Sequence, residues 1–268
     1  MSTSMFKKAL LLPLAFMSGL ITFGTAVADD STKSIQPTVV LVHDAFTDGS
    51  SWSKVIPLLQ AKGVRVVAVQ NNLDSLAGDV EETRRVIESQ PGPVVLVGHA
   101  WGGTVITEAG SADQVVALVY VAAFAPDVGQ STAELGKTYP TPPGLAHLVT
   151  DRSGYLTLSE EGMRKNFAED LRSSDVTMML ATQGSINSKA LDEKVSTAAW
   201  KTKPTWYIIS TDDRMINPLL ERHLALEMRA WIAVLPTGHV PMQSRPVDVT
   251  RVILDAVKSV QPAKVAVR

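Results

Sequence analysis

Short runs of β-branched and aliphatic residues recur along the chain, separated by segments in which apolar residues return every three or four positions. Thr38-Val39-Val40-Leu41-Val42 is apolar without alternation, the pattern of a strand buried on both faces of a parallel sheet. Val64 to Val69, Val94 to Val97, Val115 to Val121 and Thr205 to Ile209 repeat it, and Trp231 to Leu235 is a sixth candidate. Leu76, Val80, Thr83, Val86 and Ile87 fall on one face of a helix whose other face carries Glu81, Glu82, Arg84 and Arg85. Pro218 to Met228 and Val247 to Val260 read likewise. Alternating strands and helices predict an α/β fold, with a mostly parallel sheet flanked by helices on both faces. Residues 127–200 break the rhythm: Pro140, Pro142, Pro143 and Gly144 interrupt them, and Met163, Met178 and Met179 sit among helical patches without a clear buried strand. Such an insert predicts a small helical cap over the carboxyl ends of the sheet, the edge where open α/β sheets bind ligands. Methionine suits the lining of an adaptable apolar pocket there.

The first residues follow different rules. Lys7 and Lys8 precede an apolar stretch from Ala9 to Val27 that ends Ala26-Val27-Ala28 before Asp29-Asp30. This is the pattern of a cleaved signal peptide. Pro13, Ser18, Gly19 and Thr22 disfavour the rival reading, an uncleaved spanning helix. The expectation is a signal peptide over residues 1–28, export to the periplasm or beyond, and one domain over 29–268. No second apolar run is long enough to span a bilayer. Hydrophobic residues make up 45% and charged residues 19%, which suits a packed globular core. With 25 basic and 27 acidic residues the chain lacks the basic footprint of a nucleic-acid binder. The absence of cysteine excludes disulfides, thiolate metal sites and cysteine nucleophiles.

Two turns carry candidate chemistry. The run Val94 to Val97 leads into Gly98-His99-Ala100-Trp101-Gly102-Gly103 and then an apolar helix. A strand, a glycine-flanked turn and a helix make the nucleophile elbow, G-x-S-x-G, which projects one strained residue at the sheet edge. The first core strand ends in His43-Asp44-Ala45-Phe46-Thr47-Asp48-Gly49-Ser50-Ser51-Trp52. Further on, Ser210-Thr211-Asp212-Asp213-Arg214 follows a strand, and Thr237-Gly238-His239-Val240-Pro241 follows the last one. In these turns, from about Thr38 to Val260, the chain resembles the α/β-hydrolase superfamily. It is most similar to the branch of small esterases, plant-type methylesterases and hydroxynitrile lyases, which has H-G-A-x-x-G-x-x-W after its first core strand. The resemblance implies the α/β-hydrolase fold and hydrolysis of a small carboxylic ester or related acyl compound, without a cofactor. It also implies His239 as base, Asp213 as its orienting acid with Asp212 the alternative, and Ala45 and Trp101 as backbone donors of the oxyanion hole.

The chain departs from that pattern twice. Ala100 stands at the nucleophile position, and a methyl group has no lone pair with which to attack a carbonyl. Asp44 stands where the family has glycine, and a carboxylate beside the oxyanion donors opposes developing negative charge. Three explanations compete: an esterase disabled by an introduced alanine, a pseudo-hydrolase that keeps the pocket for binding, and a nucleophile-independent lyase or cofactor-free oxygenase using the His239–Asp213 base. In the last, Asp44 approaches His239 and acts as acid or base with a raised pKa; otherwise it points to solvent or caps its turn, the reading slightly favoured. His43 is expected to hold its turn, and His99 to pack beneath the elbow or reach the pocket. His147 and His223 lack metal-ligand spacing, no H-E-x-x-H or nucleotide loop appears, and neither metal nor cofactor is implied. Trp52, Trp101 and Phe124 are candidates to line a pocket for an apolar ester or aryl compound.

Overall fold

The computed structural model describes residues 36–260; the leader expected over residues 1–28 lies outside them. The valine-rich runs form β1 (Thr38–Val42), β2 (Arg65–Ala68), β3 (Val94–Ala100), β4 (Val115–Ala123), β8 (Thr205–Ser210) and β9 (Trp231–Leu235). They pair in the order β2-β1-β3-β4-β8-β9, and every pairing is parallel. The order reverses beside β1, which places the switch point, and with it the natural ligand crevice, beyond the carboxyl ends of β1 and β3. All residues of β1, β3 and β8 are buried, which accounts for their lack of alternation. β9 is instead an edge strand: Trp231 is 58% and Val234 46% exposed, and Trp231 stacks on Trp206 of β8 at 4.4 Å.

Helices α1 (Ile56–Gln60), α2 (Leu76–Glu88) and α3 (Trp101–Ala109) follow the first three strands. Helix α2 starts at Ser75, whose hydroxyl accepts the Gly78 N–H at 3.0 Å, and buries Leu76, Val80, Thr83 and Ile87, the predicted face. The insert carries α4 (Thr132–Leu135), α5 (Glu160–Gly162) and α6 (Ser173–Thr182). It is not wholly helical as expected. β5 (Leu148–Thr150), β6 (Tyr155–Leu158) and β7 (Ile186–Asn187) form a small antiparallel sheet within it. These strands are too short to leave a periodic signal. Helix α7 (Pro218–Glu227) joins β8 to β9, and α8 (Pro241–Ser244) and α9 (Pro246–Ser259) end the described chain. Among the described residues no helix is long and apolar enough to cross a membrane.

Candidate active site

The turn between β3 and α3 is bent as the sequence predicts. Ala100 has φ 46° and ψ −110°, a conformation costly for an L residue. The turn is crowded around it: a Cβ on Gly98 would strike the Gly102 carbonyl, and one on Gly102 would strike that of Val42. Ala100 is thereby projected at the sheet edge with only a methyl group to present.

Four strand ends converge on this point. The carboxyl end of β1 supplies Asp44, β3 supplies Ala100, the loop after β8 supplies Asp213, and the loop after β9 supplies His239. His239 Nδ1–H donates to Asp213 Oδ2 at 2.7 Å. Asp213 Oδ1 accepts the backbone N–H groups of Met215 and Ile216 at 2.7 and 2.9 Å, so the carboxylate is held at both oxygens. Asp212, the alternative, is exposed, and its N–H donates to the Thr237 carbonyl.

Asp44 neither faces solvent nor caps its turn; it is 4% exposed. Its Oδ1 accepts the Trp101 N–H at 3.0 Å, and its Oδ2 lies 3.7 Å from His239 Nε2 with no hydrogen-bond partner among the described residues. One of the two expected oxyanion donors is therefore occupied by a side-chain carboxylate. Ala45, the other, lines the same pocket wall. Burial disfavours the charge on Asp44, but the interaction with His239 and the Trp101 N–H outweigh it and take the carboxyl down to about 2. The raised value expected of an acid–base carboxyl is thus reversed. His239 responds in kind: burial opposes its charge, yet Asp213 and then Asp44 raise the imidazole to about 10. The resting site is a cation held between two carboxylates.

The surrounding histidines and aromatics support this cluster. His43 Nε2 accepts the Asn71 N–H at 3.0 Å, which places the proton on Nδ1, donated to the Asp44 carbonyl at 2.7 Å. Burial lowers its pKa and keeps it neutral. His99 packs beneath the elbow and donates from Nε2 to the His239 carbonyl at 2.8 Å; burial first, then the charge of His239, lowers it to about 4. Trp52 does not line the pocket. It is fully buried, edge-on to His99 at 6.4 Å. Phe167, from the insert, packs edge-on against His239 at 5.0 Å.

The cavity above Ala100 measures about 380 Å³ and lies between the sheet edge and the insert. Phe46, Phe124, Leu145, Met215 and Leu220 contribute apolar wall, and its ionisable groups are Asp44, His239 and Lys137. That volume suits a small ligand. His147 and His223 lie outside it, and no group of three or more His, Asp or Glu among the described residues could hold a metal ion.

Three supporting carboxyls escaped the sequence reading. Asp79 of α2 accepts the Trp101 indole N–H at 2.8 Å and the Leu73 N–H at 2.9 Å. Asp170 accepts the Gly238 N–H at 3.1 Å, beside Glu169. Glu221 of α7 is fully buried against Asp213. Asp79 and Glu221 left a trace in the sequence, each an acidic residue adjoining the apolar face of its helix, Leu76 and Val80 in the one and Leu220 and Leu224 in the other.

The profile of the alpha/beta hydrolase family matches residues 39–252. The chain belongs to that family. Methylesterase 2 of Arabidopsis thaliana is 29% identical over 245 residues, which cover 77% of this chain and 90% of that protein. The alpha-hydroxynitrile lyase of the same plant is 28% identical over 207 residues, covering 66% and 79%. Among solved structures, a pyrethroid hydrolase from Sphingobium faniae superposes with a TM-score of 0.73 at 21% identity, covering 83% of this chain and 98% of that one. Esterase-type relatives support ester hydrolysis at the level of the family, which also includes this lyase.

Proposed function

We propose that this chain does not hydrolyse esters through an acyl-enzyme, and is instead a nucleophile-independent lyase acting on a small apolar hydroxy compound. The observation that carries the reading is the placement of Asp44. Its carboxylate accepts the Trp101 N–H at 3.0 Å and turns an unpartnered oxygen toward His239 at 3.7 Å, beside the methyl of Ala100. A site whose oxyanion donor already holds an anion repels a second one. It offers a good place to a ligand that donates a hydrogen bond, and a hydroxyl does so.

The chemistry follows from the pair. Asp44 Oδ2 takes the proton of the substrate hydroxyl. The carbonyl forms as the adjacent carbon–carbon bond breaks, the electron pair leaves with the departing carbon, and His239 Nε2–H protonates it. A proton passing from Asp44 to His239 restores the resting state. In that state both groups are held far from neutrality, at about 2 and about 10. A hydroxyl inserted between them weakens the ion pair, raising Asp44 and lowering His239 toward the range in which proton transfer is efficient. Similarity to an alpha-hydroxynitrile lyase supports the reaction class, and the apolar walls support an aryl or alkyl substituent on the substrate. Export with removal of residues 1–28 belongs to this reading and rests on the leader pattern alone.

The resting ion pair favours one rival, a pseudo-hydrolase that binds such a compound without turning it over. The test follows aldehyde release from aryl cyanohydrins and aryl aldol adducts, with an aryl ester as control. The expected result is release by the wild type, a loss of about 10²-fold or more in His239→Ala and Asp44→Asn, and ester hydrolysis at background. Saturable binding without release supports the pseudo-hydrolase. Ester turnover dependent on His239 overturns the proposal.

A further inference from the structure

We infer that Glu221 is a proton-bearing positioning residue, donating from its carboxyl to Asp213 and extending the site into an array Asp44–His239–Asp213–Glu221. Hydrogen-bond supply and burial around Glu221 assign the proton, whatever reaction the pocket supports. Glu221 is completely buried on α7. Its Oε2 accepts the Ser210 N–H at 3.1 Å, whereas its Oε1 has no donor among the described residues. Ser210 ends β8, three residues before Asp213, so the strand end ties Glu221 to the loop that carries the acid. The ionisable groups facing Glu221 are Asp213 and the phenol of Tyr207. Neither supplies a cation, and the Tyr207 hydroxyl is committed to the Ala123 carbonyl.

Two adjoining buried carboxyls without a cation between them cannot both be charged. Asp213 already accepts three donors, His239 Nδ1–H and two backbone N–H groups, whereas Glu221 accepts only the Ser210 N–H. The proton therefore falls to Glu221, where burial and then the charge of Asp213 push the carboxyl well above its ordinary value. A protonated Glu221 gives its unpartnered Oε1 a hydrogen to donate and gives Asp213 a further donor. The consequence is positional: a further donor fixes the Asp213 carboxylate, and the imidazole it holds with it.

Infrared difference spectroscopy on the whole protein tests this. With glutamate isotopically labelled, wild type at pH 9 should show the C=O stretch of one protonated glutamic acid. Glu169, raised to about 7, is ionised there and does not contribute. Glu221→Gln should remove that band and keep the fold, because an amide both accepts the Ser210 N–H and donates to Asp213. It should also leave the His239 ring resonances nearly unmoved, whereas Glu221→Leu, which offers no donor, should shift them. The melting temperature of Glu221→Gln relative to wild type should rise steadily from pH 5 to pH 8. A carboxyl protonated only in the folded state loses stability as pH climbs above 4.5, its unfolded value. Absence of the labelled band at pH 9 overturns the inference even if neither variant folds. A pH-independent difference in melting temperature overturns it as well, as does an equal displacement of His239 by Gln and Leu.

Discussion

The Trp101 N–H donates to Asp44 Oδ1 at 3.0 Å, so a backbone donor expected of the oxyanion hole is spent on the protein's own carboxylate. Ala100 and Asp44 are then one change rather than two. The nucleophile is absent, and the site that would stabilise its product is filled.

Restoring the nucleophile alone should accordingly fail. In Ala100→Ser, aryl-ester hydrolysis is expected to stay near background. Asp44→Gly combined with Ala100→Ser should raise it by about 10²-fold or more, the scale on which a lost oxyanion donor reduces turnover. The two substitutions should be strongly non-additive. Equal rates for Ala100→Ser with and without Asp44→Gly would show that Asp44 does not block the hole.

The ion pair between Asp44 and His239 makes stability depend on pH at both ends. Asp44 is lowered from 3.8 to about 2, so its contribution is present above 3.8 and fades as pH falls toward 2. His239 is raised from 6.5 to about 10, so its contribution is complete below 6.5 and disappears as pH rises through 10. The melting-temperature advantage of wild type over Asp44→Asn should therefore be largest between about pH 4 and 6.5 and shrink toward pH 10. In Asp44→Asn, the His239 ring should titrate lower than in wild type, because the hydrogen bond and charge of Asp44 that raise it are gone. Ring NMR across that range reads both quantities.

Trp101 is anchored from below by Asp79, whose Oδ2 accepts its indole N–H at 2.8 Å. Trp101→Phe removes that donor and leaves a buried carboxyl oxygen unpaired. The expected cost is roughly 1–3 kcal/mol, or roughly 2–4 °C of melting temperature for each kcal/mol in a domain of this size. Trp101→Phe/Asp79→Leu, which removes both partners, should recover part of the loss. Calorimetry on the three proteins decides whether the pair or the indole volume matters more.

The loop of His239 is gripped by the insert through Asp170 and Glu169. Burial, then Asp170 and Asp213, raise Glu169 from 4.5 to about 7. Its stabilising contribution is thus complete below 4.5 and lost as pH rises through 7, where a third negative charge appears beside two others. Hydrogen exchange at the Gly238 amide, which donates to Asp170, should accelerate above pH 7 beyond its intrinsic pH dependence. Glu169→Gln should abolish that excess; an unchanged excess would remove Glu169 as its source.

The fold was legible in the sequence because uninterrupted valine-rich runs and a 3.6-residue period are local consequences of burial. The same holds for the elbow, since a strand, small flanking residues and an apolar helix specify its bend within ten residues. Asp213 was separable from Asp212 only by family resemblance until the chain folded: one aims at His239 and its neighbour faces water, a difference set by a single residue of turn. The role of Asp44 was beyond local reading. Whether a carboxylate in that turn meets solvent, a base or a backbone donor depends on three other strand ends arriving beside it, and their charges decided the sign of its pKa shift. Glu221 is the same case in stronger form, because a helix pattern marks an acidic residue near an apolar face but not the second carboxyl waiting there. The sequence by itself determined the sheet, the strained turn and the loss of the nucleophile, all fixed by short-range sterics and residue type. Only the tertiary structure decided which charges meet, because electrostatic pairing in a buried site depends on distances between segments far apart along the chain.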